Sequence, residues 1–284
     1  MYLRSPLAPL EFGGRTLSFT QPIVMGILNI TPDSFSDGGN LRSTKDVLRQ
    51  AEAMVESGAQ ILDIGGESSR PGAEPVPLDT ELGRVLPVFE ALERESFPVI
   101  LSVDTYKAAV AKAALQRGAA IINDISACTD PKMAETAAKS GAGLILMHMR
   151  GTPKTMQKGD LQYDAVKAVA CGLSSSAQRA MDAGVHRERI FLDPGIGFGK
   201  STEQNIALTR RLGELGNLGF PIVYGPSRKR FLGEITDRDI LDRDRATAAV
   251  CALAVEWGAH IFRVHNPAAV LDALTLAARF RQSD

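Results

Sequence analysis

The chain has 284 residues, and 44% of them are hydrophobic, which is enough for one large core. Its 32 lysines and arginines nearly balance 33 aspartates and glutamates, so the charge does not favour a nucleic-acid or anionic-membrane partner. No run approaches the roughly 18 apolar residues of a membrane span. The first residues also lack the apolar centre of a signal peptide. We therefore expect a cytoplasmic protein with no membrane partner.

Cysteine and histidine usage favours neither disulfides nor zinc. The three cysteines, Cys128, Cys171 and Cys251, are an odd number without metal-like spacing. Each lies in an apolar or helical context, so we expect buried free thiols, as in a reducing cytosol. The four histidines are scattered and form no i, i+4 pair, so we do not expect a zinc site.

The predicted elements begin with a β-hairpin over residues 10–19, which turns at Gly13-Gly14. One pattern then recurs: a short apolar strand, a polar residue, a loop and a helix. Strands are predicted at residues 23–28, 60–64, 99–103, 120–122, 143–147, 190–192, 222–224 and 261–264. Helices are predicted at residues 44–57, 79–95, 107–117, 131–139, 163–183, 202–215, 245–257 and 267–281. Left-handed C-caps are predicted at Gly58, Gly118, Gly141, Gly184 and Gly258.

Eight strand–helix units in a chain of this length predict an α/β fold, a (β/α)8 TIM barrel with an N-terminal β-hairpin. We expect residues 1–284 to form this single domain, because no linker divides the chain. A doubly wound open sheet is the alternative. Such a sheet usually has fewer strands and a Gly-rich turn after the first, and that turn is absent here.

Polar side chains lie at or just after the end of every predicted strand. In a TIM barrel the strand ends meet at one mouth, where ligands bind. The residues at these ends are Asn29, Asp63, Asp104, Asn123, His148, Asp193, Lys229 and Arg263. One polar strand end would be ordinary, but eight of them predict a ligand-binding mouth.

Part of this set is rich in hydrogen-bond acceptors. Asp104, Asn123 and Asp193 suit a flat, nitrogen-rich heterocycle with several N–H donors, because carboxylates and amides pair with its edges in fixed geometry. The alternative for each aspartate is a helix N-cap.

The rest of the set suits an anion. Arg70, Lys229, Arg263 and His265 follow strands of the same face, and phosphate often binds after barrel strands 7 and 8. Arg263 could hold a phosphate with two hydrogen bonds. The alternative is an ion pair between Arg263 and a carboxylate of the barrel. Asn29 could ligate Mg2+ on a diphosphate, since Mg2+ takes few protein ligands when phosphate supplies the others.

The Gly-rich stretch over residues 193–201 is not a phosphate-binding P-loop, because Pro194 occupies the position of its first glycine. We expect it to form a tight lip that carries Phe198 toward the pocket. A nucleophile elbow and a Ser–His–Asp grouping are both missing from the sequence, so a hydrolase has little support.

Several motifs together resemble the dihydropteroate synthase family. The long segments at residues 25–39 and 63–73 carry most of the resemblance. Shorter matches follow in family order at residues 102–105, 122–124, 146–153, 193–198, 227–229 and 263–265. One departure is Ser69, where the family usually has Thr, and the hydroxyl is kept.

The resemblance implies a reaction in folate biosynthesis, in which p-aminobenzoate displaces diphosphate from 6-hydroxymethyl-7,8-dihydropterin diphosphate. Asp104, Asp193, Lys229 and Arg263 are the implied catalytic residues. The resemblance implies a pterin site formed by Asp104, Asn123, Asp193 and Lys229, with Met147 against the ring. It implies a diphosphate and Mg2+ site formed by Asn29, Arg263 and His265. The implied p-aminobenzoate pocket, where sulfonamides compete, contains Thr31, Pro32, Phe35, Ser69, Arg70, Phe198 and Ser227.

The resemblance also implies a dissociative mechanism, in which diphosphate leaves before the amine attacks and Asp193 stabilises the cation. Family members usually form homodimers through outer helices. Two alternatives stay open at this stage. One is a pterin-binding methyltransferase domain, and the other is a non-catalytic paralogue that keeps the barrel as a binding module.

Overall fold

A computed structural model describes residues 7–30, 44–70, 72–156 and 164–281 of the chain. Three residues of the predicted p-aminobenzoate pocket, Thr31, Pro32 and Phe35, lie outside these ranges.

The N-terminal hairpin pairs β1 (Leu10–Phe12) with β2 (Arg15–Leu17), so that Leu10 lies opposite Leu17. Gly13 and Gly14 have φ angles of 56° and 78°. Only residues that tolerate positive φ can make this tight turn, which explains the two glycines. The hairpin's apolar side chains pack against the lower end of the main sheet. The predicted hairpin is confirmed.

Eight parallel strands form the main sheet, in the order β8-β7-β6-β5-β4-β3-β10-β9. A parallel bridge between Leu192 and Ile222 joins its two edges and closes the barrel. The strands are β3 (Ile23–Asn29), β4 (Ile61–Gly65), β5 (Ile100–Asp104), β6 (Ala119–Asp124), β7 (Gly143–Met147), β8 (Ile190–Asp193), β9 (Val223–Tyr224) and β10 (Ile261–Val264). The predicted TIM barrel is confirmed.

Helices cover the outside of the barrel, and the main apolar core lies between them and the sheet. They are α1 (Thr44–Glu56), α2 (Leu78–Arg94), α3 (Ala108–Leu115), α4 (Met133–Ser140), α5 (Ala165–Asp182), α6 (Thr202–Arg210), α7 (Leu212–Gly216), α8 (Arg230–Thr236), α9 (Asp244–Glu256) and α10 (Pro267–Arg281). The five glycines predicted as C-caps all have φ between 67° and 96°, as left-handed caps require.

Two details of the helix prediction were wrong. The predicted helix at residues 202–215 is broken at Arg211, whose φ of −109° is not helical and whose guanidinium pairs with Asp164 and Glu214. Helix α8 was not predicted, because seven residues with Gly233 among them are too few to show a helical period.

Other sequence-based expectations concern the surface. Cys171 is exposed, which contradicts the expectation of three buried thiols, whereas Cys251 is buried. Its place on α5 explains the error, since a helix has an outer face as well as an apolar one. Of the helices in the described ranges, none has both the length and the apolar character needed to cross a bilayer.

Candidate active site

The interior of the barrel changes from apolar to polar along the strands. Each strand contributes to a lower apolar layer, which contains Met25, Ile61, Ile100, Ile121, Ile145, Phe191, Val223 and Ile261. Side chains two residues apart on a strand face the same side, so the next inward-facing residues can be read directly from the sequence. They are Ile27, Asp63, Ser102, Asn123, Met147, Asp193, Gly225 and Arg263. The lower apolar layer therefore fills the barrel beneath the second layer. We call this second, largely polar layer the floor.

Asp63 is at the centre of this floor and is fully buried. Its Oδ1 accepts a hydrogen bond from Ser102 Oγ at 2.7 Å. Its Oδ2 accepts from Asn123 Nδ2 at 2.8 Å and from Arg263 Nε at 2.6 Å. One carboxylate thus joins β4, β5, β6 and β10 across the barrel.

Arg263 also donates from Nη2 to Asp104 Oδ2 at 2.6 Å. The ion pair that the sequence left open as an alternative is therefore present, with two carboxylates. Burial raises the pKa of Asp104 to about 7, although Arg263 opposes the shift. Burial would lower the pKa of Arg263, but Asp63 and Asp104 outweigh it and keep the guanidinium charged.

Asp193 and Lys229 form the opposite side of the floor. Asp193 Oδ1 accepts from the backbone N–H of Gly195 at 2.6 Å. Burial raises the pKa of Asp193, and the Gly195 N–H and Lys229 oppose this shift. Burial lowers the pKa of Lys229 to about 8. Lys229 Nζ lies 3.8 Å from the centre of the Phe198 ring, an arrangement that favours a cation–π contact.

The Gly-rich lip after β8 is packed too closely for larger residues. A Cβ on Gly195, whose φ is 65°, would lie 2.0 Å from the carbonyl oxygen of His148. A Cβ on Gly197 would meet the Lys229 side chain at 2.8 Å. Glycine at these two positions lets the lip approach both the β7 loop and Lys229.

Lys200 bonds to backbone carbonyls of this lip and of the β7 loop. The side chain is only 4% exposed, and its ammonium donates to the carbonyl oxygens of His148, Gly195 and Phe198 at 3.1, 2.8 and 3.0 Å. Burial lowers the pKa of Lys200 to about 7. Three acceptors match the three N–H donors of a charged ammonium, so this lysine ties the β7 and β8 loops together.

A cavity of about 770 Å3 opens above the floor. Its wall includes Asn29, Ser69, Arg70, Phe198, Ser227, Lys229, Arg263 and His265. Ser227 Oγ lies 2.9 Å from His265 Nδ1 and accepts the backbone N–H of His265 at 3.1 Å. Burial, then the charge of Arg263, lowers the pKa of His265 to about 3. His265 is therefore neutral at pH 7 and contributes hydrogen bonds rather than charge.

The loop that carries Ser69 and Arg70 is anchored at its base. Glu67 accepts from the Tyr106 hydroxyl at 2.5 Å and pairs with Lys107, which also pairs with the buried Glu81. Arg84 donates to the carbonyl oxygen of Gly66 at 2.7 Å. These contacts place Ser69 and the exposed Arg70 at the rim of the cavity.

A second cavity, of about 730 Å3, lies at the opposite end of the barrel beside the hairpin and α10. Two arginines, Arg187 and Arg281, line it, but apolar side chains such as Leu10 and Phe220 supply much of its wall. The polar strand ends are all at the other mouth, so we place the candidate site there.

Comparisons with known proteins show which family the chain is similar to. Residues 25–265 match the family of pterin-binding enzymes. The dihydropteroate synthase of Synechocystis sp. is 48% identical over 256 residues, which cover 89% of this chain and 88% of that protein. The Escherichia coli enzyme of the same name is 42% identical and covers 92% of each chain.

Solved structures of dihydropteroate synthases are also similar to this chain. The Yersinia pestis dihydropteroate synthase with a sulfonamide drug complex has a TM-score of 0.93 and 40% identity, over 97% of this chain and 100% of that one. The Burkholderia cenocepacia enzyme complexed with 7,8-dihydropteroate has a TM-score of 0.86 and 45% identity, over 98% of both chains.

The chain belongs to the dihydropteroate synthase family.

In this family member, the structure brings most of the predicted site residues together. Asp104, Asn123, Asp193, Lys229 and Arg263 meet at the floor. Met147 lies beside them, in an apolar cluster with Ile125, Met156 and Phe198. The cavity wall contains the remaining described residues, which are Asn29, Ser69, Arg70, Ser227 and His265.

Sequence reasoning gave no role to two residues of this synthase-family site. The sequence identified Asp63 only as a strand end. Its position could have predicted more, because Asp63 lies two residues before the end of β4 and therefore faces inward below the mouth. Lys200 left no comparable signal, because it lies in a loop without periodicity and its partners are backbone carbonyls.

We expect Lys200→Met to lower the free energy of unfolding by about 3 kcal/mol, because three buried carbonyls lose their donor. Urea unfolding measures the effect. Lys154→Met is the matched control, since Lys154 is 59% exposed and its only ion pair within the described residues is with Glu74 at the surface; we expect it to cost less than about 0.5 kcal/mol. Similar losses in the two variants would contradict the assigned role of Lys200.

Proposed function

We propose that the protein joins p-aminobenzoate to 6-hydroxymethyl-7,8-dihydropterin diphosphate, releasing diphosphate and forming 7,8-dihydropteroate for folate synthesis. The observation that carries this proposal is the buried polar floor of Asp104, Asn123 and Asp193 beside Arg263, which bonds to Asp104 and lines the cavity together with His265. This arrangement suits a single ligand with a donor-rich ring at one end and an anion at the other. We treat the whole chain as one pterin-binding domain.

The floor would bind the pterin through its N–H groups. Asp104, Asn123 and Asp193 offer acceptors in a buried setting, where hydrogen bonds to charged groups contribute about 1.5–3 kcal/mol each. Lys229 would donate to an acceptor of the ring, and Met147 would pack against its face. Asp193 would also stabilise positive charge that develops on the ring system.

The part of the cavity wall formed by Arg263 and His265 would hold the diphosphate. Arg263 supplies charge, and neutral His265 supplies a hydrogen bond beside Ser227. In the bond-breaking step the C9–O bond gives its electron pair to the departing diphosphate, and the pterin ring delocalises the resulting cation. The p-aminobenzoate nitrogen then forms the C9–N bond and releases a proton to water.

The p-aminobenzoate pocket would lie between the lip and the loop that carries Ser69 and Arg70. Phe198, Ser69, Arg70 and Ser227 surround one part of the cavity. An aromatic ring suits the Phe198 side, and a carboxylate suits Arg70 and the Ser227 hydroxyl. The sequence-based prediction adds Thr31, Pro32 and Phe35 to this pocket.

A Mg2+ ion fits this scheme as a companion of the substrate. Within the described ranges, His, Cys, Asp and Glu form no group of three that could hold a metal. The Asn29 amide oxygen at the cavity wall would therefore be its protein ligand, with phosphate oxygens and water supplying the rest. Bound Mg2+ would neutralise charge on the leaving diphosphate.

The direct test is turnover. With Mg2+, pterin diphosphate and p-aminobenzoate, we expect the purified protein to release diphosphate and form 7,8-dihydropteroate in equal amounts, detected by mass spectrometry. Omitting p-aminobenzoate should abolish product formation. Pterin binding without turnover, under conditions where a known synthase works, would support the alternative of a non-catalytic binding module.

We also propose a cytoplasmic homodimer. All three cysteines are free thiols, which suits a reducing compartment. Leu253 on α9 and Leu276 and Phe280 on the adjacent α10 are 53%, 59% and 76% exposed. An exposed apolar group of this kind favours self-association. Light scattering of the wild type and of Phe280→Asp tests the dimer, and a monomeric wild type would overturn it.

A further inference from the structure

We propose that Asp63 sets the hydrogen-bond polarity of the pterin site, and therefore its selectivity for a 2-amino heterocycle, by fixing which way the Asn123 amide points. Asp63 would be a positioning residue that acts through Asn123 and does not touch the ligand. This inference rests on the proposed function, because it concerns the ligand of the same floor.

The Asp63 carboxylate acts as a hydrogen-bond acceptor toward its neighbours. Its side chain is 0% exposed, and Oδ2 accepts from Arg263 Nε at 2.6 Å. A carboxylate that is paired with a guanidinium acts as a hydrogen-bond acceptor, as the bonds from Ser102 and Arg263 show. Any polar group that faces Asp63 must therefore be a donor.

The Asn123 amide faces this carboxylate. One end of the amide lies 2.8 Å from Asp63 Oδ2. If that end were the oxygen, two acceptor oxygens would face each other in a buried site, which costs more than losing the bond. The nitrogen must face Asp63, so the oxygen of Asn123 points away from it. The chemistry of the contact thus fixes an amide orientation that the shape alone would leave open.

The Asn123 side-chain oxygen, Oδ1, is the atom that would bind the ligand. Within the described chain, Asn123 Oδ1 accepts no hydrogen bond. It is also not one of the fully buried side-chain oxygen or nitrogen atoms that lack a hydrogen-bond partner. It therefore keeps some accessible surface. A ligand must bring an N–H to it, and the 2-amino group of a pterin offers two. In the 2-oxo analogue, a lumazine, an oxygen takes that place and opposes Asn123 Oδ1.

Selectivity is the consequence. A buried site that is built to bond an N–H rejects the analogue that lacks it, since both acceptors are then unpaired. We expect the wild type to bind 6-hydroxymethylpterin about 100-fold more tightly than 6-hydroxymethyllumazine. A purely structural role of Asp63 would change both affinities together and leave their ratio unchanged.

The experiment measures this ratio by calorimetry in four proteins. In Asp63→Leu, the Asn123 amide is free to turn, and we expect the ratio to fall at least about tenfold. In Asp63→Asn, the new amide oxygen can accept from Asn123 and Arg263 while its nitrogen faces Ser102 Oγ, so the ratio should survive. Ser102→Ala is the matched control, because the Ser102 hydroxyl donates to Oδ1 of Asp63 and not to the oxygen that faces Asn123, and the ratio should stay within about threefold.

Two results would overturn the inference while the proposed function stands: a wild type that binds pterin and lumazine about equally, or an Asp63→Leu variant that keeps the wild-type ratio. If Asp63→Leu does not fold, Asn123→Ala replaces it, and a ratio unchanged in that variant would also overturn the inference. A wild type that binds neither ligand would overturn the proposed function, and this inference with it.

Discussion

Arg263→Leu is expected to lower the free energy of unfolding by about 3–5 kcal/mol at pH 8, because breaking a buried ion pair strands its partner charge. Here two carboxylates lose the same cation: Asp63, which is 0% exposed, and Asp104, which is 8% exposed. Dihydropteroate formation should fall below detection in the same variant, since Arg263 is also the proposed diphosphate ligand.

The loss should shrink on acidification. Burial already raises the pKa of Asp104 to about 7 while Arg263 opposes it, so removing Arg263 raises this pKa further. Between about pH 7 and the raised pKa, the folded variant holds a proton that the folded wild type has released, so the variant gains stability relative to the wild type as the pH falls. We expect the difference from wild type to be clearly smaller at pH 5 than at pH 8.

Urea unfolding of both proteins at the two pH values measures this effect. Arg228→Leu is the matched control, because Arg228 pairs with the part-exposed Asp244, away from the floor. We expect it to cost less than Arg263→Leu and to show a weaker dependence on pH. A cost for Arg263→Leu that is the same at pH 5 and pH 8 would mean that protonation of the floor does not relieve the stranded charge.

Asp193→Asn is expected to weaken pterin binding by about one to two decades. The variant can keep its bond from the Gly195 N–H through the amide oxygen, so the lip stays in place. The amide nitrogen then faces the ligand, and a charged acceptor becomes a neutral donor. The change therefore affects the recognition of the ring much more than the fold.

Calorimetry with 6-hydroxymethylpterin measures the affinity. Asp124→Asn serves as the control, because the fully buried Asp124 carboxylate accepts, among the described residues, only from Ser126 and Cys128 in its own loop. This control should lose some stability and keep its pterin affinity within about threefold. Unchanged pterin affinity in Asp193→Asn would remove Asp193 from the site.

The sequence predicted the architecture well, for reasons that are local. Each buried strand was an apolar run that ended at a polar residue, and helices ended at glycines such as Gly141 and Gly258, which have positive φ. The polar strand ends predicted the mouth because strand order alone places them together. These signals depend on neighbours in the chain and need no knowledge of distances.

The partners of the floor residues could not be predicted in this way. Whether Arg263 meets a phosphate or a carboxylate depends on its distance to Asp63, 200 positions away in the sequence. The ion pair seen here leaves the proposed diphosphate role of Arg263 as a proposal. Lys200 was missed for a related reason, since its three acceptors belong to the backbone and leave no residue pattern.

The proposed function requires that a single ligand reaches from the floor to the cavity wall at His265 and Asn29, at the C-terminal mouth of the barrel. A crystal structure of the protein soaked with pterin diphosphate and Mg2+ tests it most directly. We predict that the ring will bond to Asp104, Asn123, Asp193 and Lys229, and that the diphosphate will lie at Arg263, His265 and Asn29. Density for the ligand in the other cavity, beside Leu10 and Arg281, with an empty floor, would contradict the account.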